Sequence, residues 1–142
     1  MTKTGPIIIV EDDKDDREIY EEALQELNIP NELKFFKRCP DAFHYLKTAE
    51  ENAFLIFCDI NLPGQNGLDF KKQIDNDAQL REASIPFVFM STNSGQQSVK
   101  EAYTKMTVQG FFQKPSSIKD YTRHLSLIID YWKLCRHPNS DL

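Results

Sequence analysis

The 142-residue sequence lacks several patterns that would assign it to a common functional class. Its three cysteines, Cys39, Cys58 and Cys135, lie far apart and form no CxxC pair, which argues against a zinc site or a disulfide framework. No apolar run approaches the roughly 18 residues that a membrane-spanning helix needs, and the first residues contain no signal-peptide core. We therefore expect a soluble, cytoplasmic protein without a membrane partner.

Charge and motif content exclude further classes. The formal net charge of −5 argues against a nucleic-acid partner held by phosphate contacts, and no glycine-rich phosphate loop is present. The acidic run at residues 11–16 has the charge of a calcium-binding loop but lacks its central glycine and its final glutamate. His44 and His137 have no partners at useful spacing and His124 lies on a polar helix face, so we predict all three at the surface.

Short apolar runs alternate with segments of helical periodicity along the chain. The apolar runs predict strands at residues 7–10, 33–36, 54–58, 86–90 and 110–113. The periodic segments predict helices at residues 14–28, from 40 onward, at 68–76, across 99–106 and from 118 onward, with a polar connection at 77–84. Five strands alternating with five helices are typical of a doubly wound α/β fold, a parallel sheet covered on both faces. We expect one domain over residues 1–142, with a core at about 5–135 and a tail at 136–142.

Three of the predicted helices carry recognisable start signals. Asp13 and Asn66 precede the first and third helices and have side chains that can cap a helix N-terminus. Ser117 begins a segment that resembles a capping box before the last helix. These residues predict where the polar loops at the strand ends give way to helices.

Polar side chains follow four of the predicted strands. Glu11 and Asp12 follow the first strand, Asp59 the third, Ser91 the fourth and Lys114 the fifth. Because the carboxyl ends of parallel strands converge on one crevice, we expect these side chains to meet. Three clustered carboxylates repel one another, so without a cation one of them would be driven towards protonation. A hard cation with oxygen ligands, Mg²⁺ in particular, would relieve this repulsion.

This group of side chains also suits phosphoryl chemistry. Asp59 would be an ionised nucleophile towards phosphorus and would form an aspartyl-phosphate. Lys114 would neutralise the phosphoryl oxygens, and the Ser91 hydroxyl would donate a hydrogen bond to one of them.

With these residues in order, the chain resembles a receiver domain of the two-component response-regulator family, over nearly its whole length. The motifs that carry the resemblance are Glu11-Asp12 after IIIV, Asp59 in CDINLPGQNG, Ser91 at the end of PFVFMS and Lys114 in GFFQKP. The resemblance implies a flavodoxin-like strand order, 2-1-3-4-5, and a stand-alone receiver of the CheY-like kind.

The resemblance also implies a set of metal ligands. Asp12 and Asp59 would bind Mg²⁺ directly, the backbone carbonyl of Asn61 would be a further ligand, and Glu11 would act through water. By the same family analogy, the rate of self-dephosphorylation depends partly on Asn61 and Asn93.

The implied switch residues are Ser91 and Phe111. Phe111 stands at the family's switch aromatic position but lacks the hydroxyl of the frequent tyrosine, so only burial of its ring would signal. Thr92 follows Ser91 where a smaller residue is common in the family. The resemblance further implies a cis peptide bond between Lys114 and Pro115, which proline chemistry allows.

The function that follows is a response regulator that accepts a phosphoryl group on Asp59 from a sensor histidine kinase, a phosphotransfer protein or a small phosphodonor. It would catalyse only its own phosphotransfer and dephosphorylation. The face made by the fourth helix, fifth strand and fifth helix would then bind another protein: a kinase, a phosphorelay intermediate, a downstream target or a second copy of the chain. One alternative is an interaction module that works without phosphorylation. Another is an aspartyl-phosphate phosphohydrolase, which is disfavoured because Asn61 stands where such enzymes need a second acid.

Overall fold

The computed structural model describes residues 2–92 and 95–138, along which strands and helices alternate. After a short 3₁₀ turn at Thr2–Thr4, the elements are β1 (Ile7–Val10), α1 (Lys14–Glu26), β2 (Leu33–Phe36), α2 (Cys39–Thr48), β3 (Leu55–Cys58), α3 (Gly67–Asn76), α4 (Ala78–Ala83), β4 (Phe87–Ser91), α5 (Gln96–Lys105), β5 (Gly110–Gln113) and α6 (Ile118–Leu134). The five strands form one parallel sheet in the order β2-β1-β3-β4-β5. The predicted fold class and strand order are confirmed.

The central strands are buried on both faces, as their continuous apolar sequences predict. Since successive side chains of a strand point to opposite faces, Ile7 and Ile9 of β1 pack in the core beneath α1 and α6. Ile8 and Val10 pack in a second core beneath α2, α3, α4 and α5. The two cores pack the sheet between layers of helices. The strand ends are therefore held in place, and so are the polar residues that follow them.

The predicted N-terminal caps are all confirmed. The side chains of Asp13, Asn66 and Ser117 each accept a hydrogen bond from a backbone N–H in the first turn of α1, α3 and α6, respectively. Each cap satisfies an N–H group that has no partner within its own helix.

The segment at residues 77–84, predicted as a polar connection, instead contains the short helix α4. Asp77 caps it by accepting a hydrogen bond from the Leu80 N–H, and Leu80 and Ala83 are buried in the core. The described part of the chain therefore has six α-helices rather than the five predicted. A single turn and a half presents only two inward side chains, which is too few for a periodic signal.

Two further predictions are corrected. None of the described peptide bonds is cis, so the Lys114–Pro115 bond is trans, the isomer that X–Pro bonds favour by about 0.5–1 kcal/mol. His137 is buried rather than exposed, and its Nε2–H donates to the Phe54 carbonyl oxygen at 2.8 Å. The described residues after α6 thus fold back against Phe54, just before β3, a contact that no local sequence pattern predicts.

The other two histidines differ from each other. His44 is exposed, as predicted, whereas His124 is half-buried against the ring of Phe112. Among the described helices, none combines the length and the apolar character needed to cross a membrane.

Candidate functional site

Glu11 and Asp59 lie side by side because of the register between β1 and β3. Val10 is paired with Cys58, so the next residue of each strand continues the pairing, and the Asp59 N–H donates to the Val10 carbonyl at 3.1 Å. On the other side, the Glu11 N–H donates to the Phe36 carbonyl at 2.9 Å. Both carboxylates are nearly inaccessible to solvent, with Glu11 1% and Asp59 6% exposed.

Lys114 follows the edge strand β5 and reaches across the sheet to these acids. Its backbone N–H donates to the Ser91 carbonyl at 3.0 Å, which continues the pairing of β4 with β5 beyond the last strand residue. Its Nζ atom lies 2.6 Å from Glu11 Oε1 and 3.1 Å from Asp59 Oδ2. Of the four strand ends predicted to converge, three therefore bring their charged side chains together, although 55 positions separate Asp59 from Lys114.

Asp12 completes a group of acids that could hold a metal ion. Glu11, Asp12 and Asp59 each offer one carboxylate oxygen, and these oxygens all lie within 4.8 Å of one another. Asp12 is exposed whereas the other two are buried, so the group opens to solvent on one side. An all-oxygen donor set with an open side fits a hard divalent cation that keeps part of its water shell.

The electrostatics of this group favour a bound cation. Burial raises the pKa of the Glu11 carboxyl to about 7, although its contacts with Lys114 act in the opposite direction. Burial also lowers the pKa of the Lys114 ammonium, but hydrogen bonds to Asp16 and Glu11, with the charge of Asp59, outweigh burial and hold that pKa above its ordinary value. Without a cation, one charged lysine faces several acids and Glu11 is partly protonated near neutral pH.

The loop after Asp59 holds the Asp59 carboxylate in one orientation. Asp59 Oδ1 accepts a hydrogen bond from the Ile60 N–H at 2.7 Å, and the Ile60 carbonyl accepts one from the Gly67 N–H at 2.8 Å. A Cβ atom on Gly67 would lie only 2.1 Å from the Asp59 carbonyl oxygen, so α3 can begin this close to the site only with glycine. Asn61 is exposed in the same loop.

Ser91 and Phe111 lie on the other side of the site. Ser91 is completely buried at the carboxyl end of β4. The half-buried Phe111 ring packs against Phe89 with ring centres 5.6 Å apart. The Phe111 N–H donates to the hydroxyl of Tyr103 at 2.9 Å, so a hydrogen bond joins α5 to β5 even though position 111 itself has no hydroxyl.

The family resemblance also drew attention to Thr92 and Asn93, the two residues that follow Ser91. Thr92 is exposed, and Asn93 lies outside the described residues.

Sequence reasoning missed two contributors from the start of α1. Asp16 Oδ2 lies 2.8 Å from Lys114 Nζ, although the sequence indicated only an acid in the first turn of a helix. Arg17 Nη1 donates to the Asp12 carbonyl at 2.9 Å and holds the backbone of the acidic pair. Asp16 and Lys114 are 98 positions apart, so no spacing rule relates them.

The family sequence model of the response regulator receiver domain matches residues 7–126 of this chain. That stretch includes every residue of the site described above. The chain belongs to the response regulator receiver family.

Relatives of this receiver domain match it over most of their length. Response regulator Rcp1 of Synechocystis sp. is 27% identical over 131 residues, which cover 89% of this chain and 87% of that protein. The phosphorylated cyanobacterial phytochrome response regulator RcpA is 25% identical, with a TM-score of 0.84, over 94% of this chain and 98% of that one. The Mn²⁺-bound form of Rcp1 is also 25% identical, with a TM-score of 0.81, over 93% and 97% of the two chains.

Proposed function

We propose that this receiver domain accepts a phosphoryl group on the Asp59 side chain from a phosphohistidine of a sensor histidine kinase or phosphotransfer protein. The observation that carries the proposal is the buried cluster in which Lys114 Nζ lies 3.1 Å from Asp59 Oδ2 and 2.6 Å from Glu11 Oε1. Support also comes from RcpA, a relative whose structure is that of a phosphorylated form. We expect the protein to act in the cytoplasm.

The proposal includes a Mg²⁺ ion held by Asp12 and Asp59, by the backbone carbonyl of Asn61 and, through water, by Glu11. The three clustered carboxylate oxygens support it, as does the Mn²⁺-bound form of the relative Rcp1. When bound, the ion supplies positive charge that stabilises the negative phosphoryl oxygens.

In the transfer itself, an oxygen of the Asp59 carboxylate forms a bond to phosphorus while the bond from phosphorus to the donor imidazole nitrogen breaks. The electron pair of that bond stays on the imidazole nitrogen, which takes up a proton. The Ile60 N–H fixes Asp59 Oδ1, so the carboxylate keeps its orientation during the attack. Lys114 donates to a phosphoryl oxygen, and the Ser91 hydroxyl moves to donate to another.

The proposed output is a change in the surface formed by α5, β5 and α6, which then binds a downstream protein or a second copy of the chain. Ser91 lies at the end of β4 and Phe111 in the neighbouring strand β5, so movement of Ser91 reaches this surface through paired strands. The Tyr103 hydroxyl links α5 to the Phe111 backbone within it. A coupling free energy of about 1–3 kcal/mol is typical of such switches.

The test is transfer of ³²P from an autophosphorylated histidine kinase in the presence of Mg²⁺. Because the relative RcpA is a phytochrome response regulator, a phytochrome-type kinase is the first donor to use. We expect the unchanged protein and an Asp69→Asn control, altered at an exposed acid in the first turn of α3, to become labelled. The Asp59→Asn variant should remain at background. Label retained by Asp59→Asn would refute Asp59 as the acceptor.

A second experiment examines the switch. Beryllofluoride with Mg²⁺ mimics an acyl phosphate, and we expect it to shift the amide resonances of residues 91–115. An unchanged spectrum in a protein that binds Mg²⁺ would favour an interaction module that works without phosphorylation.

A further inference from the structure

Asp16 is an acid of the site, but it is not among the site residues that the family resemblance implied. It lies in the first turn of α1, and its Oδ2 atom is 2.8 Å from Lys114 Nζ. The Lys114 side chain is only 6% exposed and that of Asp16 only 24%, so solvent screens this ion pair weakly. It is therefore stronger than an ordinary surface pair.

The geometry around Lys114 gives Asp16 a specific role. A lysine ammonium has three N–H donors, and here three carboxylates surround it: Glu11 at 2.6 Å, Asp16 at 2.8 Å and Asp59 at 3.1 Å. The longest of these contacts is the one to the proposed acceptor. The ammonium donates hydrogen bonds to Asp16 and to Asp59, whereas Glu11 attracts it as an ion pair. Glu11 and Asp16 thus hold the ammonium from two sides, and the donor that faces Asp59 is the one whose partner changes during the reaction.

This arrangement matters once Asp59 carries a phosphoryl group. The Asp59 oxygens lose part of their charge, and Lys114 must then donate to a phosphoryl oxygen instead. With Glu11 and Asp16 still in contact, the ammonium stays in place and only the donor that faced Asp59 changes partner. Without Asp16, one of these two contacts is lost, and the Lys114 ammonium can move away from the position that faces Asp59.

Asp15 provides the comparison that separates this role from a general charge effect. It lies in the same first turn and carries the same charge as Asp16, so both interact favourably with the positive end of the helix dipole. Asp15 is exposed, however, and it is not among the acids that pair with Lys114. The contact with Lys114 and the partial burial that goes with it distinguish Asp16 from Asp15.

We propose that Asp16 is a positioning residue for phosphoryl transfer, acting by holding the Lys114 ammonium against the acceptor site. The inference rests on the proposed function of Asp59. It concerns a side chain that acts through Lys114 and is not among the three acids that could hold the cation. It predicts a slower transfer step with unchanged docking of the donor.

The test compares Asp16→Ala and Asp16→Glu with the matched control Asp15→Ala. Transfer from the ³²P-labelled kinase is followed in single turnovers at increasing receiver concentration with saturating Mg²⁺. We expect Asp16→Ala to lower the maximal rate about tenfold and to leave the half-saturating concentration unchanged, since positioning affects the step and not the encounter. Asp16→Glu should recover part of the rate, and Asp15→Ala should match the unchanged protein.

A second readout needs no phosphorylation. In ¹⁵N-lysine-labelled protein, the Lys114 ammonium should give a protected signal, assigned by its loss in Lys114→Ala. Asp16→Ala should make these protons exchange several-fold faster with water, whereas Asp15→Ala should not.

The outcomes separate the two proposals. Equal transfer rates and equal Lys114 protection in Asp16→Ala and Asp15→Ala would overturn the role of Asp16 while leaving Asp59 as the acceptor. Equal slowing in both variants would assign the effect to helix charge and would also overturn it. Failure of the unchanged protein to accept label would overturn the acceptor proposal, and with it this one.

Discussion

At the scale of single residues, the site depends on charges that are kept apart from water. Glu11 and Asp59 are buried next to each other, and burial raises the pKa of Glu11 to about 7. Lys114 offsets part of this cost, but one cation among several acids leaves the group with excess negative charge. Binding of a divalent cation would therefore release a proton from Glu11 near neutral pH, because the ion favours the ionised carboxylate.

Gly67 offers a test of how tightly the backbone around Asp59 is packed. The Gly67→Ala side chain would place Cβ 2.1 Å from the Asp59 carbonyl oxygen, so the backbone of one segment must move. We expect the free energy of unfolding to fall by about 2–3 kcal/mol, a typical cost of overpacking, as measured by urea denaturation.

Gly64 in the same loop is the control for Gly67. Its φ angle is +75°, but a Cβ there would meet only the Arg38 side chain, at 3.7 Å. Gly64→Ala should cost about 1 kcal/mol through backbone strain alone. An equal or smaller loss for Gly67→Ala would contradict the close approach of α3 to the Asp59 backbone.

At the scale of elements, a hydrogen bond joins the edge strand β5 to α5. The Phe111 N–H donates to the hydroxyl of Tyr103, a residue that is 52% exposed. Such a contact covers a strand-edge donor that would otherwise face solvent or another strand. Since α5, β5 and α6 form the proposed output surface, this hydrogen bond would transmit a shift of α5 to the backbone of β5.

The contribution of this hydrogen bond can be measured by removing the Tyr103 hydroxyl. In Tyr103→Phe, the Phe111 amide loses its acceptor, and we expect its hydrogen exchange to accelerate about tenfold, corresponding to roughly 1.4 kcal/mol. Exchange followed by NMR would show this at one residue of β5.

The control is Tyr131→Phe, which removes an exposed hydroxyl from α6. It should leave the exchange of the Phe111 amide unchanged. Equal exchange in Tyr103→Phe and the unchanged protein would show that the bond does not protect the strand.

At the scale of the whole molecule, two cores on opposite faces of the sheet make the fold depend on contacts between distant segments. His137 is one such contact, since it follows the last helix and donates to the carbonyl of Phe54, just before β3. Its ring also packs against Phe54 and Trp132, with ring centres at 5.4 Å and 6.3 Å. The end of the described chain is therefore tied to the centre of the sheet.

The burial of His137 predicts how stability depends on pH. Burial lowers the pKa of His137 below its ordinary value near 6.5, and the hydrogen bond to Phe54 opposes this only in part. As the pH falls below about 6.5, the unfolded chain therefore takes up a proton before the folded one, and the free energy of unfolding decreases. We expect His137→Gln to flatten this part of the profile, measured by urea denaturation between pH 7 and pH 5.

The exposed His44 provides the control. His44→Gln should leave the difference in unfolding free energy between pH 7 and pH 5 unchanged. A profile that is the same in His137→Gln as in the unchanged protein would show that His137 does not contribute to the acid side of the curve.

The sequence by itself determined the strands, the capped helix starts and the acids that follow the strands. Ile7 to Val10 and Leu55 to Cys58 form continuous apolar runs because both faces of the central strands are buried. Since parallel strands end at one edge, the convergence of Glu11, Asp59 and Lys114 followed from their positions at strand ends. Periodicity and position are local properties, and a single sequence displays them.

Only the tertiary structure decided which distant side chains touch. The pairing of Asp16 with Lys114 and the burial of His137 depend on how α1 and the end of α6 pack against the sheet. The helix at Ala78–Ala83 buries two side chains through its packing on the opposite face of the sheet, beside α2 and α3. The trans Lys114–Pro115 bond departs from the family expectation. Contacts of this kind arise from the shape of the packed elements, which no repeat or spacing in the chain encodes.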